Sequence, residues 1–276
     1  DVFKKHDHEE SIRYTTWHIA NYTLGALQAL GRTDPGDPAF ARHFLDGTML
    51  GHWLSRRDMR DPWQEGNNIV NLGSFLLLMR DYGSAADAQT ARARLEQLIE
   101  WHLFNAEPQT GFWGVNQDDP IGRLHAMAGA THNYHLFYEL GIAIPHHERA
   151  VDYCLTQPPQ SVSACIDADL VDILAHAYCH LDYRRAEIAG WLAAIADAIL
   201  AIQNNDGGFP DEPGGQGTRR FDGWRGGYAE PQGISCAFGT FFRWIALAMI
   251  AHCLVSGQRH WQFRAMPGLG YFKAGN

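Results

Sequence analysis

The 276-residue chain has no excess of basic residues, and this absence limits its partners. It carries 22 Lys and Arg against 31 Asp and Glu, which gives a net charge of −9. Because nucleic acids present a dense row of phosphates, we do not expect so acidic a chain to bind them. No apolar run approaches the roughly 18 uninterrupted residues of a membrane span, so none is predicted.

A cysteine framework is also missing. The five cysteines are odd in number, scattered, and mostly placed inside apolar helical runs. This pattern is typical of reduced, buried thiols and not of disulfide bonds. No signal or transit peptide opens the sequence, so we predict a cytoplasmic protein. The first residue is Asp1 and not Met. We therefore expect a piece of a longer chain, with room for a companion domain or an oligomeric partner.

Strand patterns are absent as well. No alternating apolar and polar run is flanked by hairpin turns, and apolar residues instead recur at helical spacing. Caps and helix breakers divide the chain into nine predicted helices joined by short turns, with one long loop at 204–231. The predicted helices cover residues 9–30, 38–57, 67–82, 85–104, 124–140, 146–155, 164–180, 184–203 and 234–254.

A repeated turn organises these helices. Residues 199–210, ILAIQNNDGGFP, combine a helix end, a polar Gly-rich turn and an aromatic residue, and residues 53–63 and 101–114 follow the same order. Residues 153–157 begin it without the aromatic. The aligned leucines are Leu54, Leu103, Leu155 and Leu200, at intervals of about 49, 52 and 45 residues, which is typical of helical hairpins. One hairpin cannot bury its apolar face alone, so we expect the copies to pack side by side.

The predicted helices also alternate in polarity. Odd-numbered helices are apolar nearly all round, which indicates burial on every side, and even-numbered helices are amphipathic. An inner ring of helices inside an outer ring is an α/α toroid. We therefore predict an all-α protein, one toroid domain over residues 1–276 of about five to six hairpins around a central cavity.

The repeated turn carries a family resemblance. The QNNDGGF sequence after a helix ending in Leu, together with the earlier Trp- and Phe-bearing copies, resembles the repeats of the terpenoid cyclase and protein prenyltransferase superfamily. The resemblance implies a squalene-cyclase-like α/α toroid and an isoprenoid substrate. LanC-type cyclases and several carbohydrate-active enzymes also use helical toroids, so the fold is shared by several chemistries.

Carboxylates cluster at the start of the seventh predicted helix. Asp172 and His176 share one helical face, and Asp169 lies one turn earlier. Such carboxylates can simply cap free N–H groups, but in an apolar cavity burial would raise their pKa values and create a proton donor. The segment with Asp167 is similar to the DxDD acid motif of class II terpenoid cyclases, which implies Asp169 as the acid. Leu170 stands where that motif has its last Asp.

A zinc site is the alternative for the same helix. Cys165, Asp167, His176, Cys179 and His180 are the residue types that hold zinc in protein prenyltransferases. Their order, Cys-x-Asp, reverses that family's, and helical spacing spreads them around the axis instead of converging them on one point. We therefore expect no metal and no cofactor.

Amide, imidazole, aromatic and arginine side chains are the candidates for substrate binding. The long loop is predicted to act as a lid or binding loop. Arg243, the one charge in the apolar ninth helix, is expected to pair with an Asp of the seventh helix or to face the cavity. The candidates are Trp17, His18, Tyr22, Asn67, Asn71, His125, His132, His135, Trp224, Arg225, Tyr228, Glu230, Phe241 and Arg243.

Three functions fit these residues, two of them with a small-molecule substrate. The first is proton-initiated cyclisation of an isoprenoid, as in class II terpenoid cyclases, with Asp169 as acid, supported by Asp167, Asp172 and His176. The second is a carbohydrate-acting toroid that uses two carboxylates, such as Asp169 with Asp172 or Glu230, as acid and base. The third is a non-catalytic toroid that serves as scaffold or binding domain.

Overall fold

A computed structural model of the chain describes residues 8–32, 38–214, 218–220, 229–231, 233–257 and 261. The regular secondary structure of these residues is helical apart from one pair of three-residue strands, which confirms the all-α class. The α-helices are α1 (His8–Ala29), α2 (Gly47–Leu54), α3 (Pro62–Tyr82), α4 (Ala85–Asn105), α5 (Pro120–Leu140), α6 (His147–Thr156), α7 (Ala164–His180), α8 (Arg185–Leu200) and α9 (Ala237–Leu254). A 3-10 helix, Ala39–Leu45, precedes α2.

Capping residues account for the helix boundaries that differ from the prediction. The predicted second helix is interrupted at Asp46, whose backbone is extended and whose side chain accepts hydrogen bonds from the first turn of α2. Helices α3 and α5 begin earlier than predicted, at Pro62 and Pro120, because Asp61 and Asp119 cap the turns that follow. Proline suits the first helical position, where its missing N–H has no partner to lose.

The loop predicted at 204–231 contains regular structure, which corrects the sequence prediction. Strand β1 (Thr218–Arg220) pairs antiparallel with β2 (Ala229–Pro231), and Arg219 lies opposite Glu230 in the register. Residues 221–228, which join the two strands, lie outside the described part of the chain.

The chain divides into two compact units, Val2–Arg149 and Ala150–Gln262. In the first unit, α1 packs along α3 in the same direction. Asn21 near the middle of α1 bonds Asn71 near the middle of α3 at 2.9 Å, and Gln28 near the end of α1 bonds Tyr82 at the end of α3 at 2.8 Å. Helix α4 follows after a short turn and packs against α3, as expected of a helical hairpin.

Helices α3 and α5 are in close contact because Gly66, near the start of α3, faces Gly129, near the middle of α5. A Cβ atom on Gly129 would lie 2.0 Å from the carbonyl oxygen of Pro62, and one on Gly66 would lie 2.5 Å from the carbonyl oxygen of Gly129. Only glycine permits such an approach of two backbones. Arg80 and Glu139, at the far ends of the two helices, pair at 3.3 Å, so α5 also runs in the direction of α3.

The second unit repeats the arrangement with α7, α8 and α9. Asp167 and Arg243 meet near the start of α7, and Cys179 and Cys253 meet at the far ends of α7 and α9. The two helices therefore run parallel, and α8 returns between them in sequence and packs on both.

The repeated turn has the same construction at two of its copies. After α8 the backbone N–H of Asn204 donates to the carbonyl of Gly208, and Phe209 is fully buried. After α4 the backbone N–H of Glu107 donates to the carbonyl of Phe112, whose ring is also fully buried. In both copies a short polar turn places an aromatic ring in the core, as the sequence repeat predicts.

Burial follows the predicted alternation only in part. The central turns of α3, α5 and α7 are buried on nearly all sides, whereas α4 and α8 bury one stripe. Helices α1 and α9 depart from the prediction. Among the described side chains of α1, Trp17, Asn21 and Gly25 are buried, which is one stripe. The apolar window of α9 has a mean hydropathy of 1.5, but 33% of that window is buried. Among the described residues, α9 is the one helix that is long and apolar enough to cross a membrane. Core helices of soluble proteins meet the same two criteria, so this is weak evidence for a membrane span.

Candidate functional site

The first carboxylate of α7 is fully engaged by neighbours. The Ser161 hydroxyl donates to Oδ2 of Asp167 at 2.6 Å, and the backbone N–H of Val162 donates to Oδ1 at 3.0 Å. The guanidinium of Arg243 approaches Oδ2 to 3.3 Å. Burial raises the pKa of Asp167, and these three contacts oppose the rise. Asp167 thus closes the N-terminal turn of α7.

Arg243 is a completely buried cation. Its Nη2 donates to the Ser161 hydroxyl at 2.7 Å and to the backbone carbonyl of Asp211 at 2.9 Å, in addition to its contact with Asp167. Its Nε and Nη1 atoms are buried and have no partner among the described residues. Arg243 was expected either to pair with an Asp of the seventh helix or to face the cavity, and the structure shows it paired with Asp167 of α7.

Asp169 lies one turn into α7 and has a different environment. Its side chain is buried, and its Oδ2 atom has no hydrogen-bond partner in the described part of the chain. Burial raises the pKa of Asp169 well above its ordinary value, and the charges of Asp172 and Asp167 raise it further. A carboxyl group in this state keeps its proton to higher pH than an ordinary aspartate does.

Asp172 and His176 form a buried ion pair one turn further along α7. Nδ1 of His176 lies 2.8 Å from Oδ1 of Asp172 and 2.9 Å from the Asp172 backbone carbonyl. Burial lowers the pKa of His176, but the charge of Asp172 and these hydrogen bonds outweigh it, so that the pKa is raised overall. Asp172 therefore has a cationic partner that Asp169 lacks.

The three carboxylates of α7 thus have three different environments. Asp167 is bound by a hydroxyl, an amide and an arginine, Asp172 is paired with His176, and Asp169 has a raised pKa and an oxygen atom without a described hydrogen-bond partner. The pKa values of Asp167 and Asp169 are both raised, and that of Asp169 is raised well above its ordinary value. Buried carboxyl groups with perturbed pKa values are candidates for acid–base sites.

A second polar cluster lies in the first unit, on α1 and α3. Asn71 is completely buried and accepts a hydrogen bond from Asn21, and His18 also bonds it. The ring of His18 lies between those of Tyr14 and Tyr22, at centroid distances of 5.5 and 4.7 Å. Burial lowers the pKa of His18 to about 4 despite its bond to Asn71, so the imidazole is neutral.

Several atoms of this cluster are buried without a partner. They are Nδ1 of His18, Nδ2 of Asn71 and Oδ1 of Asn67, and none of them has a hydrogen-bond partner among the described residues. Buried polar groups are nearly always satisfied, and an exception calls for a ligand, water or a functional role. The sequence predicted these three residues as substrate-binding, and the structure places His18 against Asn71, with Asn67 one turn earlier on α3.

The other predicted binding residues are more dispersed. Trp17 is buried in an aromatic core, with its ring 5.6 Å from Phe44. His125, at the start of α5, lies 5.4 Å from Trp63, while His135 is buried further along the same helix. His132 is half-buried, also on α5, and Phe241 is 44% exposed on α9. Trp224, Arg225 and Tyr228 lie outside the described residues, as does the side chain of Glu230.

Two residues of the α7 site were not predicted. The side chain and backbone carbonyl of Asp211 both accept from the backbone N–H of Ala164 at 3.1 Å, so Asp211 caps α7 from 47 residues away in sequence. No local pattern reveals such a contact. Ser161 lies two residues before Ser163, the N-cap residue of α7, and its contacts with Asp167 and Arg243 have no local sequence signal either.

Metal binding finds no support in this geometry. Across the described ranges, no group of three or more His, Cys, Asp or Glu side chains is placed to hold a metal ion.

No protein-family model, curated protein or solved structure matches the chain. Fold and site together define the chain as an all-α protein of helical hairpins with a buried carboxyl group whose pKa is raised. Its function is therefore inferred from those residues.

Proposed function

We propose that this protein is a Brønsted-acid enzyme of the class II terpenoid cyclase type, in which Asp169 protonates an isoprenoid substrate. The observation that carries the proposal is the buried Asp169 carboxyl, whose pKa is raised well above its ordinary value and whose Oδ2 has no described partner. Protonation of an alkene or epoxide requires a carboxyl group that still holds its proton when the substrate binds, and a buried carboxyl with a raised pKa meets that requirement.

The proposed step transfers one proton. The O–H bond of Asp169 breaks, a C–H bond forms on an alkene or an O–H bond on an epoxide, and Asp169 becomes a carboxylate. The cation that forms on the substrate is stabilised by aromatic faces during ring closure. Asp172 already shares its charge with His176, so the new carboxylate experiences less repulsion than it would beside an unpaired neighbour.

The fold part of the proposal is an α/α toroid. Parallel packing of α1, α3 and α5 in one unit, and of α7 and α9 in the other, supports it, because the inner helices of a toroid run in the same direction. The return helices α4 and α8, and the two similar turns that place Phe112 and Phe209 in the core, support a repeated hairpin.

The test is turnover of linear isoprenoids by purified protein. Squalene, its epoxide and a series of prenyl diphosphates would be incubated with the wild-type chain, and cyclic products would be identified by mass spectrometry. We expect Asp169→Asn to lower turnover by about 10²–10⁴-fold, the usual contribution of a general acid. Asp206→Asn, at an exposed carboxylate, should retain the wild-type rate. Unchanged turnover in Asp169→Asn would contradict the acid role.

A carbohydrate substrate is the second candidate, and the polar cluster of the first unit favours it. His18, Asn67 and Asn71 offer buried imidazole and amide atoms without partners, which suit the hydroxyl groups of a sugar. A panel of oligosaccharides tests this alternative. The carbohydrate function would be selected over the cyclase function by two results together. The protein would cleave an oligosaccharide with a KM that Asn71→Leu raises, and it would form no product from any isoprenoid.

A further inference from the structure

Two thiols meet where α7 and α9 end. Sγ of Cys179 lies 3.5 Å from Sγ of Cys253, although the two residues are 74 positions apart in sequence. Each is the residue before last of its helix. Both are free cysteines in the structure, and their sulfur atoms are within hydrogen-bond distance.

The two thiols have unequal environments. Cys179 is exposed, whereas Cys253 is half-buried and its Sγ lies 3.5 Å from the backbone carbonyl of Ala175. The hydrogen bond from Cys253 lowers the pKa of Cys179 to about 7 against the effect of burial, and the positive charges of His176 and Arg185 lower it further. The same hydrogen bond, with burial, raises the pKa of Cys253. Cys179 is thus the thiol that ionises more readily and can attack an outside reagent, while the Cys253 thiol beside it stays protonated.

We propose that Cys179 and Cys253 form a redox-active dithiol, which a low-molecular-weight disulfide oxidises reversibly to an intramolecular disulfide. The thiolate of Cys179 attacks one sulfur of the reagent, which breaks the reagent's S–S bond and releases one thiolate. The Cys253 thiol then loses its proton and attacks Sγ of Cys179, which releases the second thiolate. Two protein thiols are oxidised and one reagent disulfide is reduced to two thiols, so the exchange balances.

Bond formation requires only a small movement. The sulfur atoms must close from 3.5 Å to about 2.05 Å, which side-chain rotation at the ends of two helices can supply. The disulfide would fix the end of α9 to the end of α7, the helix that carries Asp169 and His176. The inference rests on the contact between the two sulfur atoms and is independent of the catalytic role proposed above.

The test uses the purified full chain in buffers with graded ratios of oxidised to reduced glutathione. After acid quench and alkylation, intact mass and peptide mapping identify the product. We expect wild type to lose two hydrogens, to yield a peptide pair joined through Cys179 and Cys253, and to recover both thiols with dithiothreitol. Cys253→Ser should instead retain one glutathione on Cys179, and Cys179→Ser should acquire none at residue 253.

A matched variant tests whether the pairing is specific. Cys165→Ser removes a half-buried thiol elsewhere on α7 and should leave formation of the disulfide unchanged. The proposal is overturned if wild type keeps a glutathione on Cys179 without closing the disulfide, if the linked peptides contain other cysteines, or if neither thiol reacts.

Discussion

Replacement of Asp169 by asparagine should change how the stability of this protein responds to pH. Asparagine has nearly the shape of the carboxylic acid and can still donate a hydrogen bond, but it cannot ionise. The comparison therefore isolates the proton on Asp169, and it needs no knowledge of the substrate. It tests the property on which the proposed acid role depends.

The direction follows from the raised pKa. Asp169 binds its proton more tightly in the folded chain, where its pKa lies well above the ordinary value of 3.8. Between those two values the unfolded chain has lost the proton while the folded chain keeps it. The free energy of unfolding therefore decreases as pH rises through this window, by at most about 1.4 kcal/mol per pH unit for one proton. Asp169→Asn lacks this contribution, so its stability relative to wild type should increase with pH.

Urea unfolding followed by tryptophan fluorescence, at a series of pH values from about 4 to about 8, measures this difference. Asp206→Asn is the control. Hydrogen bonds from Ser235 and from the backbone N–H of Gly208 lower the pKa of this exposed carboxylate, so its contribution is present above the ordinary pKa and is lost as pH falls. That loss falls at and below the ordinary pKa of 3.8, so over the measured range the stability of this variant should run nearly parallel to that of wild type. If the stability of Asp169→Asn ran parallel to that of wild type over the whole range, the carboxyl would not be a buried, protonated group.

Three further substitutions, two of them with a matched control variant, test the packing by urea unfolding. Arg243→Met should lower the free energy of unfolding by about 3–5 kcal/mol, because it leaves a buried carboxylate on α7 without its cation; a loss under about 1 kcal/mol would mean that the ion pair is not buried. Phe209→Ala should cost about 3–5 kcal/mol, since the ring is fully buried, whereas Phe104→Ala, at a side chain that is 90% exposed, should change little. Gly129→Ala should be strongly destabilising because its methyl would overlap a backbone oxygen, but Gly190→Ala, in open space on α8, should stabilise by about 0.5–1 kcal/mol.

The buried groups around α7 combine stability with reactivity. Arg243 and Asp167 are held by several hydrogen bonds, which organise the start of the helix. Asp169, one turn away, has an oxygen that no described residue bonds. An incompletely bonded acid group costs stability, and it is tolerated most often where it has a function. This contrast between neighbouring carboxylates is what supports an enzymatic role over a purely structural one.

Local sequence determined the helices. Apolar periodicity and capping residues depend on neighbours within about one helical turn, so α7 was predicted with its observed bounds, Ala164–His180. The repeated polar turn followed by an aromatic was predictable for the same reason, and Phe112 and Phe209 are both fully buried. Local pattern was weaker where two signals competed: Asp46 divides the predicted second helix, and Pro62 extends the third.

Only the tertiary structure decided the chemistry of these residues. The spacing in α7 placed Asp169, Asp172 and His176 near one another, but it could not say which carboxyl keeps its proton, because burial and remote charges set that pKa. The capping of α7 by Asp211 and the contact between Cys179 and Cys253 likewise join residues that are far apart in sequence. A helix depends on interactions a few residues apart, whereas the pKa of a side chain depends on everything that folding brings around it.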